Sequence, residues 1–264
     1  MDTVVKFPIQ RITKEGKEEI EDVVTMERPL TIILNNRELV TLLCSPADLN
    51  YLAIGFLSSE GFIKNKNDLK KILVDDQRGV VRVETQADTA LAEELIFKRL
   101  ITSGCGRGAS FYSAADVQGQ TKITSQLCIS ALDVFALVKE FQSRSEGYKL
   151  TGGVHSAALC DSARILVFAE DIGRHNAIDK IFGRSLLEDL PTNDHLLITS
   201  GRVSSEMLLK AVRGNIPIVV SKSAPTDLGV KFANELGITL IGFVRGGRMN
   251  VYTHDWRVVV NYKD

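Results

Sequence analysis

The sequence predicts an α/β protein: a three-layer α/β/α sandwich around a mostly parallel sheet over residues 126–264, joined to a smaller α+β region over residues 1–125. Three observations predict it. From about residue 150, continuous apolar runs alternate with amphipathic ones, the order of strand–helix units covered on both faces. Upstream the pattern is shorter and hairpin-like. Between the two lies a break in composition, TSGCGRGAS, too rich in glycine for regular structure.

Residues 28–44 read as a hairpin, TIILN and ELVTLLC with Asn36 and Arg37 near its turn. Ser45 and Pro46 then suit an N-cap and a first helical position, and Leu49, Leu52, Ala53, Phe56 and Leu57 recur at helical spacing up to Gly61. KKILVDD and GVVRVET read as strands, and residues 88–100 as a helix. A soft boundary falls near Gly119–Ser130. Residues 131–142 form an amphipathic helix through Leu132, Phe135, Leu137, Val138 and Phe141. TGGVHSAAL reads as a loop leading into a helix. The strands ILVFAED, LLITSG, IPIVVS and ITLIGFV then alternate with the helices RHNAIDKIFGRSLLEDL, SSEMLLKAV and PTDLGVKFANELG, and MNVY and WRVVV close the chain as paired strands.

With 264 residues, 44% hydrophobic and 25% charged, the chain has the balance of a globular protein with a real core. Its 32 basic and 33 acidic residues give a net charge of -1, so no global excess argues for nucleic acid or a membrane surface. Met1–Gln10 has no apolar leader core and no run is long enough to span a bilayer, so a cytoplasmic protein is expected. Cys44, Cys105, Cys128 and Cys160 stand far apart without a C-x-x-C pair and are expected as free thiols; no permanent metal is expected.

The candidate chemistry lies in loops. Cys105 stands among Gly104, Gly106 and Gly108 with Arg107 nearby, a setting that exposes a thiol and favours its thiolate. A small buried residue in a tight turn is the bland alternative. Cys44, Cys128 and Cys160 have apolar or helix-flanking neighbours and read as structural. His155 could be a general base, a metal ligand, an oriented hydrogen-bond donor or a histidine satisfied by backbone groups. A deaminase-type zinc site is disfavoured, because Ser156 and Ala157 stand where its glutamate would follow.

Four turns follow the strands: EDIGRHN with Asp171, Arg174 and His175; TSGRVSSE with Arg202; SKSAPT with Ser223; and FVRGGR, Phe243, Val244, Arg245, Gly246, Gly247 and Arg248. Such turns should converge at the carboxyl edge of the sheet, where glycines, arginines and helix N-termini suit phosphate. For FVRGGR the plain alternative is a glycine hairpin with exposed arginines.

In this order, TSGCGRG, TGGVHSAAL, EDIGRHNAIDK, SGRVSSE, SKSAPT and GFVRGGR closely resemble the formate dehydrogenase accessory sulfurtransferases, the FdhD family. The resemblance implies a fold similar to the cytidine deaminases without their zinc. It also implies a sulfurtransferase that takes sulfur from a cysteine desulfurase, holds it as a persulfide on Cys105, and passes it to the molybdenum bis(guanine dinucleotide) cofactor for formate dehydrogenase. That cofactor would be bound as substrate, at a segment matching Phe243–Arg248. The implied partners are the desulfurase, formate dehydrogenase and the cofactor, with room for a homodimer. One departure stands out: many members carry a second cysteine where this chain has Gly108, so a two-cysteine relay is excluded here. A cofactor-binding chaperone without sulfur transfer is the competing reading.

Overall fold

The computed structural model describes residues 3–86 and 121–260. The expected 28–44 hairpin forms as β3 (Arg28–Leu34) and β4 (Arg37–Cys44), and Asn35 and Asn36 adopt the left-handed conformation at its turn. With β5 (Leu69–Asp75) and β6 (Val80–Thr85) it makes a four-stranded sheet in the order β4-β3-β6-β5. Leu30, Ile32, Leu34, Leu42, Val81 and Val83 line one face, and the face is covered by α1 (Leu49–Glu60).

Helix α1 begins later than expected. Its N-cap is Asp48, and Ser45 is employed elsewhere, accepting from the Ile172 amide while its own N–H donates to Asp171. The turn after β4 is thus tied to the C-terminal half.

Before this sheet stands a hairpin that the periodicity of the sequence did not announce, β1 (Val4–Thr13) and β2 (Gly16–Thr25). Thr25 anchors it through a 2.7 Å hydroxyl contact to Thr151.

The C-terminal sheet is mixed, which corrects the mostly parallel expectation. Its strands are β8 (His155–Cys160), β9 (Ile165–Asp171), β10 (Leu196–Thr199), β11 (Ile218–Ser221), β12 (Thr239–Arg245) and β13 (Arg248–Thr253), in the order β13-β12-β11-β10-β8-β9. Only the β10–β11 and β11–β12 pairs in it are parallel. The reason is connection length. The short link after β8 and the Gly246–Gly247 turn after β12 leave no room for a crossover, so both pairs must be antiparallel. Asp161 builds the first of these turns by accepting from the Ala163 and Arg164 amides. HSAALC is accordingly a buried strand, not the expected loop and helix start.

Helices cover both faces. Leu197, Val219 and Leu240 face α4 (Arg174–Leu187), α5 (Ser205–Arg213) and α6 (Asp227–Leu236). Ile198, Val220 and Ile241 face α2 (Ala131–Arg144) through Val134, Leu137, Val138 and Phe141. A short helix α3 (Glu146–Thr151) leads to the left-handed Gly152 before β8. WRVVV does not pair with MNVY: β14 (Val258–Val259) pairs with β7 (Ile129–Ser130), and MNVY lies in β13. Arg257, 2% exposed, locks this end by donating to the Ser125 and Gly237 carbonyls and to Thr239.

The halves meet where α1 crosses α4. A Cβ on Gly55 would collide with the carbonyl of Asp179, and one on Gly183 with that of Tyr51, so only glycine permits this backbone approach.

Candidate functional site at the carboxyl edge of the sheet

Strand register brings the predicted turns together. His155 pairs with Asp171, Ala157 with Thr199, and Thr199 with Ser221, so the start of β8 and the ends of β9, β10 and β11 share one edge with the end of β12. The loops then interlock. The Ser221 hydroxyl donates to the Gly201 carbonyl at 2.7 Å, and the Phe243 amide donates to the Ser223 carbonyl at 3.1 Å. Arg174 lies across Gly201, whose missing side chain leaves it room. Gly201 was not singled out from sequence; its only signal is its place between Ser200 and Arg202 at a strand end.

His155 is half-buried, with Nδ1 3.2 Å from Ser200 Oγ. That oxygen also accepts from the Ser156 amide at 3.0 Å, so Ser200 ties the ring to the backbone at the start of β8. Burial, and then the Arg174 charge, hold the His155 pKa below its ordinary value. His175 is held down to about 3, chiefly by burial and further by Lys210 and Arg174. Glu206, 3.5 Å from its Nε2, acts in the opposite direction, but burial among cations dominates. Both imidazoles are therefore neutral near pH 7. Burial also lowers Lys222.

Three polar atoms here are buried without a hydrogen-bond partner among the described residues: Arg174 Nε, His175 Nε2 and Ser204 Oγ. The helices beside them are open as well. Gly173 and Ser204, the N-caps of α4 and α5, give no side-chain cap, whereas Thr226 caps α6 by accepting from the Gly229 amide. Uncapped first-turn amides and the positive helix end attract an anion.

Asp171 does not belong to this open face. It is 0% exposed, and its carboxylate meets Lys180 at 2.7 Å, Asn176 at 2.9 Å and the amides of Ser45 and Gly173. With its acceptor sites so occupied, it positions the turn instead of contacting a ligand.

FVRGGR forms the hairpin joining β12 to β13. Gly246 and Gly247 take positive φ of 58° and 73°, and Arg245 pairs with Arg248 across them. Val244 is 1% exposed and packs in the core, so its side chain is not offered to a ligand. Phe243 sits in a bulge at φ 54°, a conformation rare for a bulky residue, with Arg245 5.8 Å above its ring. Arg202, Arg245, Gly246, Gly247 and Arg248 are exposed, and Ser223 and Phe243 are partly so.

Cys105, its glycine loop and the expected 88–100 helix lie outside the described residues. Of the other thiols, Cys44 and Cys160 are buried, and burial pushes each up to about 12, which makes them poor nucleophiles. Cys128 is exposed. No three His, Cys, Asp or Glu side chains among the described residues gather to hold a metal ion, and no helix among them is long and apolar enough to cross a membrane.

The sequence pattern of the FdhD/NarQ family matches residues 25–259, the span that holds every loop of this edge. The chain belongs to the FdhD/NarQ family. It is 46% identical over 239 residues to the sulfur carrier protein FdhD of Bacillus subtilis (strain 168), covering 90% of this chain and 91% of the relative. To the sulfur carrier protein FdhD of Geobacillus kaustophilus (strain HTA426) it is 42% identical over 253 residues, 96% of each chain. The fold is shared with the crystal structure of a candidate formate dehydrogenase accessory protein from Desulfotalea psychrophila. That match has a TM-score of 0.81 at 28% identity, over 98% of this chain and 100% of the other. In FdhD/NarQ terms, the residues behind the family resemblance, EDIGRHN, SGRVSSE and SKSAPT, are those that interlock at the sheet edge.

Proposed function

We propose that this chain is a cytoplasmic sulfur carrier serving formate dehydrogenase. Sulfur passes from a cysteine desulfurase to Cys105 as a persulfide, and from there to the molybdenum bis(guanine dinucleotide) cofactor bound at the carboxyl edge of the sheet. The observation that carries the binding half is the set of unmet donors there: two uncapped helix N-termini beside Arg174, His175 and Ser204. A diphosphate supplies oxygens for all of them. Kinship with proteins named sulfur carriers supports the transfer half. In loading, the Cys105 thiolate attacks the terminal sulfur of the donor's persulfide and the donor cysteine leaves as thiolate, so no external oxidant is needed.

Gly108 favours one other reading, a chaperone that holds the cofactor without carrying sulfur, because a second thiol for relay is missing. Incubation with a cysteine desulfurase and cysteine, followed by mass spectrometry, separates the two. The proposal expects added sulfur on Cys105 and none in Cys105→Ala. Unloaded wild type, or a Cys105→Ser variant that still supports formate dehydrogenase, refutes it.

A further inference from the structure

A second recess lies at the opposite edge of the sheet, among the ends of α1, α4 and α5 and the segments leading into β10 and β11. It encloses about 300 Å³, within the size of small-molecule sites. Its charged lining is Lys64, Lys66, Lys210 and Arg213 against one carboxylate, Asp189. We infer that this recess binds a small phosphomonoester, recognised through its phosphate.

The inference rests on which groups remain unsatisfied. Helix C-termini normally present carbonyls and repel anions, but most of those here are already engaged. Leu57 and Ser58 accept from Phe62 and Gly61; Arg184 and Ser185 from Glu188 and Leu190; Lys210, Ala211 and Val212 from Gly214, Ile216 and Asn215. Arg213 Nη1 takes the Ser59 carbonyl.

Two of the cations are also spent, Lys66 on Asp189 at 2.5 Å and Lys210 on Asp179 at 2.7 and 2.8 Å. What remains is a set of donors. No described hydrogen bond or ion pair engages the Lys64 ammonium, and Arg213 has further guanidinium N–H groups. Asn65 uses its side-chain oxygen on the Asn67 amide, which leaves its NH2.

The floor supplies an independent pointer: Ser185 is 2% exposed, lines the recess, and its hydroxyl has no partner among the described residues. A buried hydroxyl is rarely left unmet. An oxyanion can accept from each of these groups, and the lining is mostly donors, whereas an apolar ligand satisfies none.

Calorimetry on the full chain tests this, with inorganic phosphate and ribose 5-phosphate as probes at constant ionic strength. Since the strand-end edge also suits phosphate, the comparison is between variants. Lys64→Gln should weaken one class of site about tenfold, the loss of a charge-assisted bond, and Ser185→Ala severalfold. Arg174→Ala should leave that class unchanged, which keeps this result separate from the fate of the proposed function. Tighter ribose 5-phosphate than phosphate supports the phosphomonoester; equal affinity supports the phosphate alone as the recognised group. Unaltered binding in both recess variants at native melting temperature, or no saturable binding of either probe to wild type, overturns the inference.

Discussion

The stretch Glu170–Lys180 holds two kinds of polar residue that look alike in sequence and differ in the fold. Asp171, Asn176, Asp179 and Lys180 are at most 9% exposed and bound on every side. Asp171 holds Lys180, and Asp179 accepts from Lys210 and, at 2.6 Å, from Ser59. Arg174 and His175, on the first turn of the same helix, keep buried nitrogens without hydrogen-bond partners. The first group joins the halves of the molecule. The second is the pair that the proposed cofactor would engage. Satisfaction, more than polarity, separates structure from site.

That comparison can be broken at its saturated side first. Asp179→Ala leaves buried Lys210 facing only Glu60, at 3.8 Å, and should cost about 3 kcal/mol, read as a shifted urea midpoint. A loss below about 1 kcal/mol would mean that the pair is solvated and the contrast false. Gly183→Ala drives a methyl into the Tyr51 carbonyl and should cost about 1–3 kcal/mol by overpacking.

A pH titration sharpens the boundary between the two groups. His175 has a folded pKa of about 3 against 6.5 for the free side chain. Its contribution is therefore complete above about pH 6.5 and is lost as pH falls toward 3. By pH 5 that amounts to at most about 2 kcal/mol, with Glu206 reducing it. His175→Gln should flatten the stability profile between pH 7 and about 5, and an unchanged slope would assign the loss to other groups.

At the exposed hairpin the expected effect is on binding. Replacing Arg245 and Arg248 by alanine should weaken guanine-dinucleotide affinity at least about tenfold and leave sulfur loading of Cys105 intact. Lysine should rescue only part of it, since an ammonium lacks the planar fork. Normal cofactor binding would make these arginines mere hairpin decoration.

Much of this was legible in the sequence. Apolar periodicity located the later strands and helices because their side chains bury on sheet faces. Strand direction was not legible, because it followed from two short turns. HSAALC misled because its small residues carry no β-branched signal, although five of its six positions are buried. The β1–β2 hairpin is mostly exposed, so no apolar alternation marked it. At the site, convergence followed from the strand ends. The division of EDIGRHNAIDK did not, because Asp171 and Asp179 are satisfied by Ser45 and Ser59, over a hundred positions away in sequence. Val244 was drawn in by its neighbours, and its register turns it into the core.

The central claim is that the unmet donors around Arg174 await a guanine nucleotide. Calorimetric titration of GDP into wild type and Arg174→Ala tests it most directly, with ADP as the control. The account predicts that GDP binds wild type more tightly than ADP does. It also predicts that Arg174→Ala loses about tenfold or more in GDP affinity while its melting temperature stays put. Equal GDP binding by both proteins, or none by the wild type, would contradict it.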